Sequence, residues 1–130
     1  MFEENISVMK SSYLLEATKR SPKINFESKG NFCISGNSYI EDPENFYRPA
    51  VMWLNEFLEQ NKNEINFTIN LEYVNSSSSK IVLNMLYAII DSGVKLNVTW
   101  EYEEEDFDIL ELGESLQTLT QLNFNFKPIS

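Results

Sequence analysis

The sequence predicts an α/β two-layer sandwich, with a mixed, mainly parallel sheet and helices packed mostly on one face. Three observations carry this. From Ile65 onward the chain alternates, with Ile65, Phe67, Ile69, Leu71 and Tyr73 on one side and Asn66, Thr68, Asn70 and Glu72 on the other, the period of a strand buried on one face. The alternation returns in Val94, Leu96, Val98, Trp100 and Tyr102, set against Lys95, Asn97, Thr99 and Glu101. Between the two runs, Ile81, Val82, Met85, Leu86, Ile89 and Ile90 form a helical stripe that Gly93 stops. Strand, helix and strand in succession imply parallel pairing through a right-handed crossover. Parallel strands covered on both faces read as continuous apolar runs, so clean alternation predicts helices on one side and a solvated Asn/Thr/Glu face on the other.

The remaining elements follow in order. The first twelve residues are expected to be flexible and residues 13–130 to form a single domain. Tyr13 to Ala17 suits a short strand, and Ile24 to Glu27 and Phe32 to Ile34 suit a hairpin around Ser28-Lys29-Gly30-Asn31 that ends at Gly36. Asp42 is placed to cap a helix with Pro43 in its first turn, and Phe46, Ala50, Trp53, Leu54, Phe57 and Leu58 recur at helical spacing behind it. Pro49 falls early enough in that helix to spare most of its backbone bonds. The acidic stretch 101–108 contains no Asp-x-Asp-x-Asp-Gly type of calcium loop, and reads as a solvated helix start in which Asp106 and Asp108 favour the N-terminus. Ile109, Leu110, Leu112 and Leu116 give that helix its buried side, and Leu122, Phe124 and Phe126 mark a last strand.

Composition narrows the function. A chain of 130 residues, 42% hydrophobic and 13% aromatic, can bury one real core. Ten Lys and Arg against 20 Asp and Glu give a net charge of -10, which repels nucleic acid and anionic membrane surfaces. With no histidine and one cysteine, Cys/His dyads, Ser/His/Asp triads and histidine zinc sites are excluded, and Cys33 reads as a small hydrophobe in its strand. No metal and no cofactor is expected. The start, MFEENISVMK, lacks the basic and apolar regions of a signal peptide, and no apolar run reaches the ~18 residues of a membrane span, so the expected location is the cytoplasm.

The segment LEYVNSSSSKIVLNML brings four serines to the end of the first alternating strand and the start of the next helix, where open α/β sheets place ligands and chemistry. Asn75 or Ser76 can cap that helix, because a short oxygen-bearing side chain accepts a bond from a free first-turn N–H. A plain cap and turn would need nothing more. Ser77 and Lys80 also match the bare Ser-x-x-Lys spacing of a serine nucleophile with a lysine base, but without its companion motifs. Elsewhere Tyr47 and Arg48 offer themselves as exposed anchors for a protein partner.

Several segments together resemble the SiaC family of bacterial regulatory phosphoproteins. FYRPAVMWLNEFL is similar to that family's aromatic helix with a Trp-Leu pair. LEYVNSSSSKIVLNML is similar to its strand, Asn-Thr-Ser-Ser turn and helix, and VTWEYEEEDFDILELGESL to its Trp-x-Tyr strand with an acidic tail. With PKINFESKGNFCISGNS the resemblance spans about Pro22 to Ile129. The family is similar in fold to STAS domains, the anti-sigma-factor antagonists, whose switch serine also opens a helix after a strand.

The resemblance implies a non-enzymatic switch. A cognate kinase would phosphorylate the hydroxyl residue after the Asn, a PP2C-type phosphatase would remove the phosphate, and the unmodified form would bind and activate a diguanylate cyclase in c-di-GMP signalling. The position carried over is Ser76, where the family commonly has Thr, with Ser77 as the alternative. Asn75, Ser77, Ser78 and Lys80, together with Tyr47 and Arg48, are the expected partner-binding surroundings. An anti-sigma-antagonist type of circuit with another effector would use the same chemistry.

Overall fold

The computed structural model describes residues 12–130, so the expectation of a flexible start falls, apart from Ser12, outside the described residues. Its six-stranded sheet follows chain order: β1 (Tyr13–Leu15), β2 (Lys23–Phe26), β3 (Asn31–Ser38), β4 (Ile65–Val74), β5 (Leu96–Glu103) and β6 (Asn125–Ile129). The first three strands pair antiparallel, and β3 to β6 pair parallel. Helices α1 (Pro43–Gln60), α2 (Ser76–Asp91) and α3 (Phe107–Thr120) each link two neighbouring parallel strands. Right-handed crossovers that all step the same way across a sheet must all land on one of its faces.

Burial matches that topology. Ile24, Phe26, Phe32, Ile34, Ile65, Phe67, Ile69, Leu71, Leu96, Val98 and Trp100 are all buried on the helix side. Their neighbours Asn25, Thr68, Asn70, Asn97 and Thr99 are only half-buried, and Asn66 is exposed. On this polar face Asn97 donates to Asn66 Oδ1 at 2.9 Å and Asn70 to Glu101 Oε1 at 3.1 Å. The solvated Asn/Thr/Glu face is therefore as expected, and none of the described helices dries it.

The apolar layer has two parts. Under α1, Trp53 stacks on Phe57 with centroids 5.0 Å apart, and Phe32 meets both rings nearly edge-on. Under α3, the Trp100 indole donates to the Ile109 carbonyl at 3.0 Å. A Cβ on Gly113 would lie 2.5 Å from that indole nitrogen, so Gly113 is the notch that lets helix and indole meet.

Four local expectations change. Gly36 does not end the hairpin. It lies inside β3 at φ 114°, in the left-handed region that favours glycine, beside an irregularity in the β3/β4 register. There Gly36 pairs with Leu71 but Asn37 pairs with Tyr73, which leaves Glu72 as an extra residue in β4. The bulge reverses the alternation, so Tyr73 is 44% exposed instead of facing the core as its spacing suggested. Pro49 lies at the seventh position of α1, past the first turn, and the helix continues through it.

The third change is Tyr47, expected as an exposed anchor and found fully buried. It shares a helix face with Pro43, Ala50 and Leu54, and its hydroxyl is satisfied inside by Ser38 Oγ at 2.7 Å. Burial pushes the Tyr47 phenol up to about 12, partly countered by the Ser38 bond. The fourth is Ser78, expected among the partner-binding residues. It is fully buried because it lies one turn before Val82 on the apolar face of α2.

Candidate functional site

The serine segment lies where β4 hands over to α2, at the C-terminal edge of the sheet. Asn75, not Ser76, is the N-cap: its Oδ1 accepts from the Ser78 N–H at 2.9 Å. The rest of Asn75 is equally engaged. Its Nδ2 donates to the Ile40 carbonyl at 2.9 Å and its backbone N–H to the Ser38 carbonyl at 3.3 Å. Since Ser38 is also bonded to Tyr47, the cap is tied through β3 to a buried side chain of α1.

Because Asn75 does the capping, Ser76 stands at the first helical position with its side chain exposed and its hydroxyl without a bond partner among the described residues. Its carbonyl accepts from Ser79 Oγ at 2.8 Å. The backbone N–H groups of Ser76 and Ser77 precede the first intrahelical bond, Ser79 N–H to Asn75 O at 3.0 Å, so they point out of the helix without a partner among the described residues. Ser78 Oγ is buried without a hydrogen-bond partner among the described residues.

Ser76 and Ser77 open onto different surroundings, because successive helical residues are turned by about 100°. Ser76 lines a cleft of about 430 Å³ with Glu72, Tyr73, Ser79, Asp106 and Asp108, over an apolar floor that includes Ile109. Among the described residues no Lys or Arg lines it. Ser77 is also exposed, but it falls on the helix face of Ile81 and Asn84, which line a separate groove of about 260 Å³ between α1 and α2. Arg48 lies in that groove, exposed and donating to Asn45 Oδ1 at 3.4 Å. Thus Asn75, Ser76, Ser77 and Lys80 come together at the start of α2, whereas Arg48 belongs to the flank of α1.

The acidic stretch completes the cleft. β5 ends at Glu103, and Asp106 caps α3 by accepting from the Ile109 N–H at 3.1 Å. Among the described residues no three acidic or thiol groups are placed to hold a metal ion, and no helix is long and apolar enough to cross a membrane. Lys80 is exposed on the helix surface, as is Ser77 one turn before it.

One feature of the site escaped sequence reasoning. Tyr73, turned out by the bulge, packs against exposed Tyr39 with ring centroids 4.8 Å apart, and the Arg20 guanidinium lies 4.9 Å from the Tyr39 centroid. Strict alternation hides this cluster. The signal was Gly36 in mid-strand, a known mark of a bulge.

Comparison with known proteins agrees with this architecture. An uncharacterized protein of Pseudomonas aeruginosa (strain UCBPP-PA14) is 22% identical over 107 residues, 79% of this chain and 85% of its own length. The crystal structure of apo-SiaC from Pseudomonas aeruginosa superposes with a TM-score of 0.81 at 21% identity, covering 90% of this chain and 98% of that one. A chain from the crystal structure of the diguanylate cyclase SiaD in complex with its activator SiaC, from the same organism, superposes with a TM-score of 0.83 at 21% identity, covering 90% and 99%. The family model of the SiaC family regulatory phosphoproteins matches residues 15–129, nearly the whole described chain, and the protein belongs to that family.

Proposed function

We propose that this protein is a non-enzymatic signalling switch, acting through a single domain over residues 13–130. Its unmodified form binds and activates a diguanylate cyclase in the cytoplasm, where c-di-GMP is made. A cognate kinase phosphorylates Ser76 to release the cyclase, and a PP2C-type phosphatase restores the active form. The support for a cyclase partner is family membership together with the SiaD–SiaC complex. The support for Ser76 is the division of labour at the helix start: Asn75 holds the cap, which leaves the Ser76 hydroxyl exposed and free to be modified without unravelling α2.

Phosphorylation adds about -1.5 to -2 charges and three acceptor oxygens. The outward N–H groups of Ser76 and Ser77 receive part of that charge, for about 0.3 to 1 kcal/mol at an exposed helix terminus. Among the described residues, Glu72, Asp106 and Asp108 line the same cleft and no cation does, so its lining does not neutralise the phosphate. A partner that packs over Ser76 would enclose an unpaired dianion, at a cost of roughly 3 to 5 kcal/mol.

The test uses the protein purified with and without a cognate kinase. Fragment-ion mass spectrometry should place one phosphate on Ser76, and calorimetry should show the unmodified form binding the cyclase and the phosphorylated form failing to. Phosphate on Ser77 alone, or equal cyclase affinity for both forms, would overturn the assignment.

A further inference from the structure

We propose that the Tyr39–Tyr73 pair is the anchor of the effector interface. Its occupant is a protein surface with an apolar centre over the two rings and basic residues facing Glu41 and Asp42. The assignment rests on the switch proposed above and adds the surface through which the effector is held.

Four observations converge on the pair. Leu71, two residues before Tyr73, is buried, and an unbroken strand would send Tyr73 to the core beside it. The extra residue Glu72 turns it outward instead, a use of bulges that is common beside functional sites. The two rings are 52% and 44% exposed yet packed on each other, so they offer apolar area already held in place. Arg20 fixes Tyr39 from behind: its guanidinium lies over the ring, its Nε donates to the Tyr39 carbonyl at 3.3 Å, and its carbonyl accepts from the Tyr39 N–H at 2.7 Å. Finally, Tyr73 lines the Ser76 cleft.

The rings form a ridge between two hollows. On one side lies the cleft of Ser76, and on the other a hollow lined by Arg20, Tyr39, Glu41 and Asp42. A partner seated on the ridge covers Ser76, which explains how one phosphate reaches an interface anchored on aromatic rings. Tyr and Arg are the residue types that dominate binding hot spots. The carboxylates of Glu41 and Asp42 select basic residues along the partner's outer edge, whereas release by phosphate requires that its edge over Ser76 carry no charge to pair with it.

The experiment measures binding of the purified diguanylate cyclase that the unmodified protein activates, using wild type, Tyr39→Ala, Tyr73→Ala, Glu41→Lys and Ser76→Asp. Each tyrosine variant should lose about tenfold or more in affinity. Glu41→Lys should lose severalfold and bind with a weaker salt dependence. Melting temperatures should stay within a few degrees of wild type, since both rings are surface groups. Tyrosine variants that bind within about twofold of wild type while Ser76→Asp is released would overturn the ridge and leave the switch standing. Tyrosine variants that lose binding while Ser76→Asp binds normally would keep the ridge and remove the switch. No binding by wild type would overturn both. A wild-type dimer that dissociates on Tyr73→Ala would assign the ridge to a second copy and overturn the effector as its occupant.

Discussion

The starts of α2 and α3 are built alike and charged differently. Each follows a parallel strand, and each N-cap side chain accepts from the N–H three residues on, Asn75 from Ser78 and Asp106 from Ile109. α3 is capped by a carboxylate and carries Asp108 in its first turn, so the positive end of its dipole is already met by negative charge. The start of α1 follows the same plan with Asp42 and Glu44. Among the described helices, α2 alone has a neutral cap and no acid in its first turn, with a hydroxyl at its first position. The same hydrogen-bond geometry thus produces two finished helix ends and one that is left open to an anion.

The contrast breaks first at Ser76. Phosphate there should weaken cyclase binding by about two to three and a half orders of magnitude, and Ser76→Asp should move the same way by less, with circular dichroism and melting temperature little changed. Titration calorimetry checks the first and a thermal melt the second. A phosphorylated protein that melts well below wild type would mean that α2 is not open to an anion at all.

The next effect is alkaline. The Tyr47 phenol is raised from 10.0 to about 12, so the folded state favours its neutral form. That contribution is complete below pH 10 and disappears as pH rises through 12, a loss on the order of 3 kcal/mol. Denaturant melts of wild type should fall steeply across that window, and Tyr47→Phe should lack this component. An equal decline in both proteins would show that the buttress beneath the Asn75 cap does not hold a neutral phenol.

Smaller effects separate the two caps. Asn75→Ala removes two side-chain bonds and should cost about 1 to 2 kcal/mol in urea unfolding, whereas Asp106→Ala removes one and should cost about 1. Ser76→Ala should change stability by less than about 0.5 kcal/mol while abolishing phosphorylation. If Ser76→Ala proved as costly as Asn75→Ala, cap and switch would be one residue rather than two.

Much of this was legible before the coordinates, because period and punctuation act locally. The alternation of Ile65 to Leu71 and the stripe from Ile81 to Ile90 specify a strand, a helix and the face each buries, and Asp42 announced the start of α1. Misreadings arose where a neighbour decides. The bulge at Glu72 belongs to the pairing of β4 with Gly36, a residue more than thirty positions away, and no count along β4 reveals it. Tyr47 could have been placed by its spacing of three from Ala50 and seven from Leu54, but its hydroxyl suggested the surface, and only the partner Ser38 makes burial affordable. Ser78 is the same lesson on α2. Four serines look equivalent in a string, yet one turn of helix buries one of them and turns its neighbours toward different clefts.

The order of the strands carries a consequence of its own. Doubly wound sheets reverse direction midway, and at the reversal two neighbouring loops part to leave a slot in which nucleotides and other small molecules lodge. From β3 to β6 this sheet never reverses, so its loops emerge in file along one edge, and the Ser76 cleft lies between two successive loops rather than at a reversal. A rim of this shape offers breadth instead of depth. It suits recognition by another macromolecule, and under the proposed switch a single modified hydroxyl on it would act as an obstacle on a landing surface rather than as a reagent in a chamber.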